Sequence, residues 1–158
     1  MTTVRVTTET SLSPAQVLDA AHDFSERRAD VFPAVELARM EIHSEAGTSA
    51  DVTEGTGIGP FGANWERCDY DWSRPGMVTA TVTDSNVYAF PGSSWELKAT
   101  PSGTGSEVEM TWIREFNKRP RGLVFGLAYR TIGRRAFRKY VRDVLENLEK
   151  VESPPPPS

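Results

Sequence analysis

The 158-residue sequence predicts an α+β domain with an antiparallel sheet of seven strands, two short helices after the first strand, and one long C-terminal helix. Two observations carry that class. From Glu36 to Phe116 apolar and polar residues alternate in short runs divided by glycine- and proline-rich turns, which is the period of strands. From Pro120 to Lys150 the apolar residues recur at helical spacing, with no proline inside the segment.

At the start, Val4 and Val6 alternate with Arg5 and Thr7, the pattern of a half-buried strand over about residues 2–9. In Ser13-Pro14-Ala15-Gln16 a serine can cap a helix, proline sits where its missing N–H costs nothing, and glutamine can reach back to the cap. This predicts a helix from Pro14 to Phe24. Ser25 can cap a second, shorter helix through Val31, which Pro33 ends. Six strand segments follow, ELARMEIH, SADVTEGT, NWERCDYDWS, MVTATVTD, SSWELKAT and EVEMTWIREF, joined by short turns into a meander. One face of these strands is the more apolar, beginning with Ala38, Met40 and Ile42 and continuing through Cys68, Tyr70 and Trp72 to Val108, Met110 and Trp112. Asn117 suits the cap of the long helix. Residues 1–152 thus form one domain, and the proline-rich tail at 153–158 is expected to be disordered.

Composition limits the function. The single Cys68 excludes an internal disulfide, and the first residues lack the charged-then-apolar pattern of a signal peptide, so a cytoplasmic location is expected. The longest near-apolar run, Gly122 to Tyr129, is far short of the ~20 residues that span a bilayer. A net charge of −4 argues against a nucleic-acid partner. The charge is uneven: residues 114–142 hold ten Lys and Arg against one acid, whereas residues 1–113 hold seven against seventeen. A solvated helix face complementing an acidic sheet, or a patch for an anionic membrane or partner, each accounts for this.

Catalytic and cofactor signals are sparse. Neither His22 nor His43 has a visible nucleophile to serve, and Asp69 and Asp71, on one strand face, lack further metal ligands. Gly55 to Gly62 resembles a phosphate loop but has no lysine and no following helix. The sequence therefore predicts neither a metal nor a cofactor.

The order of elements resembles the helix-grip fold of the START-like SRPBCC superfamily, most of all its small bacterial members of polyketide cyclase/dehydrase type. The capped SPAQ helix start, the SERRADVFP helix, the strand series and the basic final helix carry the resemblance over about residues 2–150. It implies a curved sheet wrapped around the C-terminal helix, with an apolar or aromatic ligand between them. On that arrangement Tyr70, Trp72, Trp95, Met110 and Trp112 lie on the concave face, and Tyr129 approaches from the helix. Such side chains suit a flat or polycyclic molecule. Phe61, Tyr88 and Phe90 are expected to form an apolar lid.

Arg114 continues the inward parity of Met110 and Trp112, and Arg130 falls within the apolar stripe of the helix. Each can reach a ligand oxygen, pair with a carboxylate such as Glu54, or face solvent at the open end. Gly126 and Gly133 flank Arg130, and three readings stay open for them: close approach to the sheet, a kink, or volume left for a ligand. The expected function is binding of a hydrophobic small molecule, a lipid or polyketide, by carriage or sequestration. The resemblance implies one alternative, a cyclase/aromatase polarising carbonyls with Arg67, Arg114 or Arg130. The charge implies another, peripheral membrane or partner docking through the basic helix.

Overall fold

The computed structural model describes residues 1–153, so the tail from residue 154 on, and the disorder expected of it, lies outside the described residues. In chain order the elements are β1 (Thr2–Thr10), α1 (Pro14–Ala21), α2 (Arg27–Val31), β2 (Glu41–Ala46), β3 (Ser49–Gly57), β4 (Ala63–Asp71), β5 (Met77–Ser85), β6 (Ser94–Ser102), β7 (Gly105–Arg114) and α3 (Pro120–Glu152). Strands β2 to β7 form an antiparallel meander, and β1 closes the sheet beside β7, giving the order β1-β7-β6-β5-β4-β3-β2. This is the helix-grip fold, with α3 packed along the sheet and against α2.

The predicted cap of α1 is present in both directions. Ser13 Oγ accepts from the Gln16 N–H at 3.2 Å, and Gln16 Oε1 accepts from the Ser13 N–H at 2.9 Å. The helix ends at Ala21, earlier than predicted, because Arg28 Nη1 donates to the Ala21 and Asp23 carbonyls at 3.1 and 3.3 Å. Those carbonyls therefore bond a guanidinium, and the chain turns so that Phe24 enters the core.

The segment ELARMEIH departs from the expected strand. Leu37–Arg39 form a single 3-10 turn held by Glu36, whose carboxylate accepts from Arg39 Nε at 2.8 Å and from the Gly57 N–H at 2.7 Å. Strand β2 begins only at Glu41 and is exposed along its whole length, so of Ala38, Met40 and Ile42 only Met40, just before the strand, packs against the core. The physical reason is position: β2 is the last strand of the sheet, paired on one side only.

The C-terminal half of α3 plugs the sheet as its apolar spacing predicts. Val141, Val144, Leu145 and Leu148 are buried in one core with Val4, Val6, Val78, Val82, Leu97 and Val108, removing about 25 cal/mol of unfavourable hydration per Å2 of apolar surface. The N-terminal half differs. Asn117 Oδ1 accepts from the Arg119 N–H at 3.2 Å, ordering the approach, but the cap position itself is Arg119. A Cβ at Gly122 would lie 2.2 Å from the Asn117 carbonyl oxygen, so only glycine lets the helix start this close to the preceding loop.

Candidate functional site

Between the sheet and α3 lies a cavity of about 350 Å3. Trp95 on β6 and Trp112 on β7 are cross-strand partners and form its floor with Met110, which faces Leu97 in the same register. Tyr70 on β4 meets Trp95 edge to face with ring centres 5.6 Å apart. From α3, Phe137 lies 4.3 Å from the Trp112 ring centre, and Tyr140 stands beside it. Ala34 and Ala136 line the cavity yet are exposed, so they mark its rim. The walls are thus mainly aromatic, as pockets for flat ligands are.

Two arginine–glutamate pairs interrupt this apolar lining. Arg28 projects from α2 between Phe24 and Phe32, spaced four residues on either side, with its guanidinium carbon 4.7 and 4.6 Å from their ring centres. Its Nε donates to Glu54 on β3, and its Nη2 donates to Glu54 at 3.3 Å and to the Tyr70 hydroxyl at 3.1 Å. Tyr70 in turn donates to Glu54. Arg114, at the end of β7, forks onto Glu66 of β4 at 3.0 and 3.3 Å and lies 4.3 Å from the Tyr88 ring centre.

Burial works against the charge on both arginines. Glu54 and Tyr70 more than offset it for Arg28, as Glu66 and Tyr88 do for Arg114, so both stay firmly protonated. The same burial pushes the Tyr70, Tyr88 and Tyr140 hydroxyls above the usual phenol range. Each pair cancels its own charge. A cavity holding two guanidinium groups therefore presents almost no net charge to a ligand.

Two polar atoms in the lining residues are buried without a partner: Arg114 Nε, a donor, and Asn64 Oδ1, an acceptor. Leaving such groups unpaired costs roughly 1–3 kcal/mol each. Among the described residues, no group of three His, Cys, Asp or Glu side chains gathers as metal ligands.

The structure brings together Tyr70, Tyr88, Trp95, Met110, Trp112 and Arg114 of the residues singled out in the sequence. Five others lie elsewhere. Trp72 follows the end of β4 and stacks on His22 with ring centres 4.5 Å apart, outside the cavity. Arg130 faces solvent, because the half of α3 that carries it is covered on one side only. Gly126 gives close approach, since a Cβ there would meet the Phe116 ring at 3.3 Å, and Gly133 is covered by the Tyr129 ring at 3.4 Å. Neither glycine leaves ligand volume, and α3 runs unbroken through both.

Tyr129 fills the space between Phe116 and Phe137 without lining the cavity, and burial pushes its hydroxyl up to about 12. Phe61 and Phe90 project into solvent instead of forming a lid. Arg67 lies on the other sheet face, paired to Asp51 through Nε at 2.7 Å.

Arg28, Glu66, Asn64, Phe137 and Tyr140 were not marked by the sequence reading, although signals existed. Phe24, Arg28 and Phe32 share one helical face, and Glu66 has the inward parity of Cys68 and Tyr70.

Fold and cavity together define a helix-grip container with an aromatic interior. Residues 1–151 match the family described as polyketide cyclase/dehydrase and lipid transport, and the chain belongs to that family. A comparison of the sequence with curated proteins gives no match. Among solved structures, the protein TTHA0849 of Thermus thermophilus superposes with a TM-score of 0.76 at 13% identity, covering 96% of this chain and 100% of that one. The Zhui aromatase/cyclase of a Streptomyces species does so at 0.74 and 13%, covering 96% of each chain. The major latex-like protein 151 of Panax ginseng follows at 0.66 and 12%, over 97% of this chain and 98% of its own. At these identities the likeness is one of fold.

Proposed function

We propose that the cavity binds a neutral, flat, largely apolar molecule carrying oxygen groups, and that the protein carries or sequesters it. The observation behind this reading is that both buried guanidinium groups are already neutralised, by Glu54 and Glu66, within a mainly aromatic lining. A hydrophobic ligand gains about 25 cal/mol for each Å2 of apolar surface removed from water. Its oxygen groups then meet the polar side chains of the lining, Asn64, Glu66 and Arg114. The lipid-transport part of the family description supports the same class of ligand.

The juxtaposition of Arg114 and Glu66 favours a second reading, an aromatase/cyclase of the kind represented by the Zhui protein. In that reading Arg114 polarises a ketone oxygen, and Glu66 takes the proton from the carbon that attacks it. Ring closure is followed by loss of water.

An environment-sensitive apolar fluorophore bound in the cavity is expected to be displaced by a neutral polycyclic phenol at least about tenfold more effectively than by the carboxylate of the same skeleton, whose charge finds both arginines taken. A preference for the carboxylate would sink the neutral-ligand reading. Mass spectrometry after incubation with a poly-β-ketone surrogate separates carrier from cyclase. The carrier returns it unchanged, whereas the cyclase yields a dehydrated ring that Glu66→Gln abolishes.

A further inference from the structure

We infer that the end of the molecule formed by the first half of α3 docks on an anionic membrane surface. Leu123, Val124 and Leu127 share one arc of the first half of α3 and Ile132 stands on another, all 61–68% exposed, where no element among the described residues covers them. Two loops bring further apolar side chains to the same end. Phe61 is 75% exposed, and its carbonyl accepts from Arg121 in the first turn of α3. Phe90 is 46% exposed in a loop tied to the approach of α3 by the Ala89 N–H to Glu115 carbonyl bond at 2.8 Å. Three separate segments thus place large apolar groups in water at one end, which monomeric proteins rarely do without a partner.

The charge around them identifies the partner's chemistry. Lys118, Arg119, Arg130, Arg134, Arg135 and Arg138 are all exposed, and among the described residues none of them makes an ion pair. Glu115 is the sole acid between residues 114 and 142. At 1.5 Å per residue, the cations from 118 to 138 extend over about 30 Å. Arg134, Arg135 and Arg138 fall within the same outer arc as Val124 and Leu127, two to four turns further along.

A helix laid on a bilayer in this way buries its first turns at the headgroup boundary while the following guanidinium groups meet lipid phosphates. Aliphatic tips ringed by dispersed cations suit a continuous sheet of phosphate over hydrocarbon better than one discrete acidic partner. No helix among the described residues is long and apolar enough to cross a membrane, so the contact is peripheral.

The test is co-sedimentation of the full chain with vesicles of phosphatidylcholine containing about 30% phosphatidylglycerol, beside vesicles of phosphatidylcholine alone. Binding is expected to the anionic vesicles only and to weaken as salt rises from about 50 to about 500 mM. Arg134→Glu/Arg135→Glu/Arg138→Glu should cut partitioning by about 100-fold. Leu123→Ser/Leu127→Ser should weaken it without removing its salt dependence. Both variants change only exposed side chains, so their melting curves should match the parent's. Equal binding of the triple variant, or no anionic binding by the parent, overturns the proposal. So does a stable dimer that the leucine variant dissociates, or capture of an acidic protein by a chain that ignores vesicles.

Discussion

Replacing Glu54 by alanine is expected to lower the unfolding free energy by about 3–5 kcal/mol, read from urea denaturation. The size follows from what remains. Arg28 is buried between Phe24 and Phe32, and its backbone partners, the Ala21 and Asp23 carbonyls, supply dipoles but no counter-charge. Tyr70 would lose its acceptor at the same time. The paired variant Arg28→Met/Glu54→Leu removes both charges and should recover most of the loss, because an apolar pair of similar volume is often as stable as a buried ion pair. If Glu54→Ala unfolds at the parent's urea concentration, the pair is not desolvated and the description of the cavity wall is wrong.

A loss of comparable size should come from alkali. The sequence has four tyrosines, and all four have hydroxyls raised above the ordinary value of 10.0, in each case chiefly because burial disfavours the phenolate. Burial likewise raises the Cys68 thiol above its ordinary 9.0. A raised folded-state pKa means that the contribution is complete below the unfolded value and declines as pH climbs above it, because the unfolded chain then releases protons that the folded chain keeps.

Stability should therefore hold up to about pH 9 and then fall. Tyr70, Tyr88 and Tyr140 each add a slope of up to about 1.4 kcal/mol per pH unit above pH ~10. Tyrosinate absorbance should rise together with loss of the native circular dichroism. Titration of one or more tyrosines near pH 10 in the still-folded protein would contradict the burial described here.

These buried groups mark the boundary of what local sequence patterns reveal. Strand alternation placed Tyr70, Trp95, Met110, Trp112 and Arg114 on one face, because parity along a strand is a local property. It misplaced Trp72 because the strand ends one residue earlier, at Asp71. The Arg28–Glu54 and Arg114–Glu66 contacts join residues 26 and 48 positions apart, a separation over which no period carries information.

The long helix shows the same division. Its C-terminal plug was legible from apolar spacing, whereas the solvent exposure of Leu123, Leu127 and Arg130 depends on what the rest of the chain leaves uncovered. Gly126 and Gly133 likewise had to await their neighbours. The space beside them is taken by the rings of Phe116 and Tyr129.

The central claim is that a ligand enters the cavity between sheet and α3, and its most direct test is titration of the apolar fluorophore into Ala136→Trp. Ala136 lies at the rim and is exposed, so a tryptophan there blocks the opening without disturbing the core. Affinity is predicted to fall by at least about tenfold while the melting temperature stays at the parent's value. Undiminished binding by a folded Ala136→Trp protein would contradict the account.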